Sequence, residues 1–285
     1  MGLKKPLVET KCAMSLTQLS PDQIAPLLDD MIAKMDRSGI LKDFKHYKFG
    51  YMIALDGTQV TNSEKIQCCT CSQKHHRDGR VEYGHSVLNV MLVHPEKDIA
   101  MPVDAEFIQR QNGRKKEDCE RNAAKRWLAN FPKRHKIMPV TILADDLHCN
   151  QPFIEELQAQ GYNYIMTCKE GSHKHLYEWV KTLPNGHDLQ STTIRKCENN
   201  RNKIYKYEYV NSVAMREQEG LNGNYIQLTI TDQTNKNTQT FAYLTNYKIS
   251  STNAEAIVAA GRRRWKIESA PQAHKGAKHK LSLCA

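Results

Sequence analysis

Two short apolar runs, each closed by an acid, constrain the fold of this chain more than any other feature. Tyr51-Met-Ile-Ala-Leu-Asp56 is followed by the turn residues Gly57 and Thr58, and Pro139-Val-Thr-Ile-Leu-Ala-Asp145 repeats the pattern. Runs of this length and composition predict central strands, and each strand delivers a carboxylate to the edge of the sheet.

Helical and extended patterns alternate around them. Ser20 and Pro21 predict the start of a helix through Ile24, Leu27, Leu28, Met31 and Met35 that ends near Gly39. A strand around Ile66 and a long one over 81–93 predict a meander with its turn at 74–80. Residues 118–130 place Cys119, Ala123, Ala124, Trp127 and Leu128 on one helical face, and a further helix is expected over 152–160. A strand follows at 164–167, and Ser172 is expected to cap a helix through Leu176, Trp179 and Val180. Between 187 and 246 residues alternate, as in Tyr205, Tyr207 and Tyr209 or Ile226, Leu228 and Ile230, which predicts a β-rich insertion. Helical character returns over 251–268, with Thr252 or Asn253 as its cap. The expected organisation is α/β: a helical lead-in at 1–45, a core at 46–186 and 247–270, the insertion at 187–246, and an unstructured basic tail at 271–285.

Lys plus Arg number 41 against 31 for Asp plus Glu, a net charge of +10 that attracts polyanions by neutralising phosphates and releasing counterions. Nucleic acid is the expected partner, although a ribosomal or anionic-membrane partner would give the same balance. Nine scattered cysteines lack the dense spacing of a disulfide scaffold and fit a reducing cytoplasm. With no apolar run long enough to span a bilayer and no hydrophobic leader, the chain reads as soluble and intracellular.

Acids at the ends of separate elements suit divalent-metal chemistry. Magnesium takes oxygen ligands and keeps several waters, so a few carboxylates suffice and a substrate phosphate completes the shell. Singly, each acid has an ordinary reading: Asp before Gly is turn chemistry, and Asp145-Asp146 could cap the next helix.

Their joint context carries a resemblance. Asp56-Gly57-Thr58-Gln59, the stretch from Cys119 to Arg126, Leu143-Ala144-Asp145 with Asn150-Gln151-Pro152 behind it, and Gly261-Arg262-Arg263-Arg264-Trp265-Lys266-Ile267-Glu268 together resemble DDE-class insertion-sequence transposases. The similar branch carries a Tyr-Arg-Glu-Lys signature in its last catalytic helix. That resemblance implies a ribonuclease-H-like mixed sheet flanked by helices, with a β-rich insertion before that helix. It implies bacterial, nucleoid-associated cleavage and strand transfer of double-stranded DNA, performed by a possible homodimer with Mg2+ or Mn2+, two ions in all.

On the same resemblance Asp56, Asp145 and Glu268 are the catalytic, metal-binding acids, with Asp146 as the alternative to Asp145; Leu147 sets the register that favours Asp145. Arg264, Arg263 and Lys275 are the implied DNA-binding residues. The signature tyrosine position is Gly261, Pro271 interrupts the helix before Lys275, and the chain resembles a family member truncated at both ends. A truncated, inactive DNA-binding remnant is the competing reading.

Cys68 and Cys71, with His75 and His76 close behind, form a candidate zinc set of thiolates and imidazoles; reduced thiols on a hairpin are the plainer alternative. Arg114, Lys115, Lys116, Lys125, Arg126, Lys133, Arg134 and Lys136 make a basic region expected to track a DNA backbone. Trp265 and Ile267 read as core anchors.

Overall fold

The first apolar run is buried on every residue from 50 to 55, and Val140–Ala144 is buried throughout. Side chains of a strand alternate between faces, so continuous burial requires cover on both sides of the sheet. The computed structural model provides it, and describes residues 21–65, 67, 71–108, 118–184, 188–198, 201–214, 222–234 and 236–267.

Helix α1 (Pro21–Ser38) leads through a 3-10 turn (Ile40–Phe44) into β1 (Lys45–His46) and β2 (Gly50–Ser63). Then come β3 (Ser72–His75), β4 (Val81–Val93), β5 (Ala100–Ile108), α2 (Glu120–Arg134), β6 (Val140–Ala144), α3 (Gln151–Ala159), β7 (Asn163–Thr167) and α4 (Lys174–Thr182). Strands β8 (Gln190–Glu198), β9 (Arg201–Ala214), β10 (Asn222–Asp232) and β11 (Thr238–Thr245) precede α5 (Ala254–Arg262) and a 3-10 turn (Arg263–Trp265).

Among the described residues all strands join one 11-stranded sheet, with the path β3-β4-β2-β6-β7-β11-β10-β9-β8. Strands β2, β6 and β7 run parallel, joined by crossovers through α2 and α3, and their neighbours on both sides are antiparallel. This is a mixed sheet flanked by helices, as the fold class read from the sequence requires. The β-rich stretch is hydrogen-bonded onto it, because β11 pairs with β7 at Leu244↔Met166.

The two faces carry separate cores. Ile53, Leu55, Ile142, Ala144 and Met166 pack with Trp127, Phe131, Phe153 and Leu157 of α2 and α3. The alternate residues Met52, Ala54, Leu143 and Ile165 pack with Ile257 and Val258 of α5. Trp127 is only 1% exposed, and replacing it with Ala would cost about 3–5 kcal/mol.

Gly50 opens β2 at φ 65°, and an added Cβ would meet Pro139 O at 2.1 Å. Only glycine allows both that left-handed backbone and the approach that lets Tyr51 N–H donate to Pro139 O at 2.8 Å. The contact sets β2 against β6.

The structure departs from the sequence reading at several elements. Strand β5 was not legible: Pro102 breaks its pattern, yet it sits at a β-bulge opposite Met91 on a strand paired only with β4, where a missing N–H is harmless. The expected turn at 74–80 begins inside β3, and His173, not Ser172, occupies the cap position of α4. Ser172 Oγ instead hydrogen-bonds Asp146. The last helix starts at Ala254; Asn253 Oδ1 accepts from Ser250 N–H and makes no cap bond. Ile66, the 1–20 lead-in and the 271–285 tail lie outside the described residues. None of the described helices is long and apolar enough to cross a membrane.

Candidate active site

The parallel register Ala54↔Leu143 carries β2 and β6 forward side by side, so Asp56 and Asp145 emerge together where the parallel pairing ends. Strand β2 continues on β4, with Asp56 opposite Asn89, while β6 stops at Ala144. The carboxyl ends of parallel strands are where α/β sheets place their sites. From the turn after α5, Arg264 Nη1 donates to Asp56 Oδ1 at 3.1 Å. Arg264 is buried, at 8% exposure, so this ion pair is screened less than a surface pair.

A third carboxylate enters from Glu120, the first residue of α2. Its Oε1 accepts the Gly57 N–H at 3.1 Å. Gly57 makes room for it: an added Cβ would lie 2.1 Å from Glu120 Oε2. His148 Nδ1 lies 3.0 Å from Asp145 Oδ1, which also accepts the Leu147 N–H at 3.0 Å. The other ring nitrogen, His148 Nε2, lies 3.7 Å from Glu120 Oε1.

These groups set each other's charge. Burial opposes ionisation of Asp145, but the His148 hydrogen bond and charge, the Arg264 charge and the Leu147 amide outweigh it and hold the carboxyl below its ordinary range. Glu120 moves the other way: burial raises it, and the Asp145 and Asp56 charges add to that, against the opposing pull of His148 and the Gly57 amide.

The donor set fits a divalent cation. Ligand atoms of Glu120, Asp145 and His148 all lie within 4.8 Å of one another. His148 is 1% exposed and its Nε2 has no hydrogen-bond partner, a costly state for a buried polar atom. In the neutral tautomer that carries its proton on Nδ1, Nε2 has a lone pair that a cation can take. Two carboxylates and an imidazole are donors that a divalent cation accepts.

The sequence model of the family described as Transposase DDE domain matches residues 99–276, more than half of the chain. The chain belongs to the transposase DDE-domain family. No curated protein matches it. Membership of a transposase family implies a DNA substrate.

The fold brings Asp56 and Asp145 together; Glu268, Lys275 and Cys68 lie outside the described residues. Asp146 turns away from the acids: its Oδ1 accepts from Lys169 N–H at 2.6 Å and lies 3.4 Å from His173 Nε2. Asp145 is therefore the one facing Glu120 and His148. Arg264 is engaged with Asp56, while Arg263 Nη1 donates to Glu96 O at 3.0 Å.

Other sequence expectations are redistributed. Cys71 Sγ lies 3.4 Å from His85 Nε2, whereas His76 Nε2 lies 3.2 Å from Glu82 and His75 is exposed. Within the basic region, Arg126 bonds Asp118 and Glu106, Lys125 bonds Glu156, and Arg134 pairs with Asp104, so these cations brace α2. Arg114, Lys115 and Lys116 lie outside the described residues. Ile267 is in the core, but Trp265 is 37% exposed, edge-on to Phe241 at 5.2 Å.

Glu120 and His148 were missed as site residues although both belong to or adjoin the stretches that carry the resemblance. The available signal was position: an acid in the first turn of a helix and an imidazole three residues beyond Asp145.

Proposed function

We propose that the chain cuts DNA phosphodiester bonds and joins the freed 3′ ends to a target, as the transposase of an insertion sequence. In this reading Asp56, Asp145 and Glu268 hold two Mg2+ or Mn2+ ions, and Glu120 and His148 complete the set. The observation that carries it is the convergence of Asp56, Asp145 and Glu120 from three separate elements in a chain of the DDE family.

The chemistry that bound divalent ions supply is a more acidic nucleophile and charge neutralisation at the leaving oxygen. The residues do the rest. Asp145, held below its ordinary range by His148 and Arg264, is an ionised ligand at neutral pH. Arg264 orients Asp56 through its 3.1 Å bond. Arg263 and Lys275 lie against backbone phosphates, with Arg264 reaching one when DNA competes for it. Residues 46–186 and 247–270 form the catalytic core, and 187–246 the unit that widens its sheet. The protein acts on the bacterial nucleoid as a dimer on paired DNA ends.

The test uses DNA flanking the chain's own coding region, with Mg2+ or Mn2+, scored for nicked and strand-joined products. D56N, D145N and E268Q should each reduce cleavage more than about 100-fold while DNA binding persists, since even outer-shell changes at metal sites cost about 10–100-fold. Metal-independent binding without products from the unaltered chain would favour the inactive remnant, and products without joining would leave a nuclease.

A further inference from the structure

Behind Asp145 lies a second group of donors. Cys149 ends the turn after β6, Cys168 follows β7, and His173 occupies the cap position of α4. The two sulfurs and an imidazole nitrogen all lie within 4.8 Å of one another. The cysteines are 2% and 1% exposed, and the His173 side chain is 12% exposed. His173 Nε2 is buried with no hydrogen-bond partner, 3.4 Å from Asp146 Oδ1.

We propose that Cys149, Cys168 and His173 bind a structural zinc ion, with Asp146 Oδ1 in the fourth position. Zn–S distances of about 2.3 Å and Zn–N or Zn–O distances of about 2.0 Å give tetrahedral edges of roughly 3.3–3.8 Å. The 3.4 Å between His173 Nε2 and Asp146 Oδ1 is already such an edge.

The surroundings suit a ligating carboxylate. Lys169 N–H donates to Asp146 Oδ1 and Ser172 Oγ–H to Oδ2, the outer hydrogen bonds that orient ligands at metal sites. Two thiolates and an imidazole select zinc over the hard cations suited to the acid cluster. Without an ion, the thiol of Cys149 is pushed well up by its hydrogen bond to Cys168 and by burial. Binding displaces both thiol protons to solvent, one for each zinc–sulfur bond formed. The ion would tie the β6–α3 turn, β7 and the start of α4 into one knot immediately beside Asp145.

The test uses the full chain carrying C71S, which removes the other cysteine-histidine contact. The chain is purified under reducing conditions and assayed for zinc, for sulfur-to-metal charge-transfer absorption after Co2+ exchange, and for zinc released during thiol titration. The expected result is about one zinc per chain, lost at least tenfold in C149S and C168S, with cobalt absorption weakened in the same variants and shifted in H173N. D145N should leave the zinc content unchanged. Zinc should leave in step with modification of two thiols, a readout that serves even where a cysteine variant fails to fold. Zinc-free C71S protein, cobalt absorption indifferent to both cysteines, or an intact mass showing a Cys149–Cys168 disulfide would overturn the proposal.

Discussion

Glu120 pairs a buried carboxyl with two acidic neighbours, and its ionisation works against folding. Its pKa lies above the ordinary 4.5, first because of burial. A raised carboxyl pKa means the folded chain binds the proton more tightly than the unfolded one. The stabilising effect is complete below about pH 4.5 and is lost as pH rises through the folded value. Metal-free E120Q should therefore melt a few degrees higher than the unaltered chain at pH 7, with the gap closing below pH 4.5, as thermal scans across pH would show. Saturating Mg2+ or Mn2+ should shrink the gap at pH 7 by stabilising only the carboxylate form; equal melting without metal would sink this account. Gly57 makes a second test. G57A drives a Cβ to 2.1 Å from Glu120 Oε2, an overpacking cost of about 1–3 kcal/mol. In the E120A background most of that cost should vanish, and a double-mutant cycle by urea denaturation reads the coupling directly.

At the scale of elements, Gly261 sets how closely α5 approaches the sheet. Glycine inside a helix is about 1 kcal/mol worse than alanine, so G261A should stabilise an isolated helix. Within the fold an added Cβ meets Tyr243 at 2.7 Å and Ile165 at 3.0 Å, both buried. G261A should thus lower stability by about 1–3 kcal/mol, and G261Y should prevent folding, as measured by circular dichroism and soluble yield. At Gly261 the backbone of α5 presses against Tyr243 of β11 and Ile165 of β7. Strands β2, β4 and β6 were legible because unbroken or regularly patterned apolar runs need no partner to declare themselves. Strand β5 was not, since a proline reads as a breaker until its place opposite a bulge is known. Asn253 takes the cap position of α5 as expected, but its side chain accepts from Ser250 N–H in the preceding turn and makes no cap bond.

For the molecule as a whole, the +10 surplus predicts DNA affinity that falls steeply with salt. Between 50 and 200 mM salt the affinity for a duplex should drop by at least about tenfold, measured by fluorescence anisotropy, with a log–log slope near −0.9 per phosphate neutralised. Not every cation contributes to that slope. Arg126 and Arg134 are occupied by Asp118 and Asp104, so substituting them should change stability more than salt dependence. The same distinction separates what each level of description decided. Sequence alone determined the α/β class, the strands that carry Asp56 and lead to Asp145, and the basic balance, because hydrophobic period, chain order and charge are local quantities; that β2 runs past Asp56 and Gly57 to Ser63 was decided by its pairing with β4. Only the tertiary structure decided that Asp145 rather than Asp146 faces the acids, that Glu120 and His148 join them, and that Cys149, Cys168 and His173 meet behind them. Those are distances between residues far apart in the chain or side-chain directions at the end of a strand, and both are settled by which sheet edge and helix end pack together.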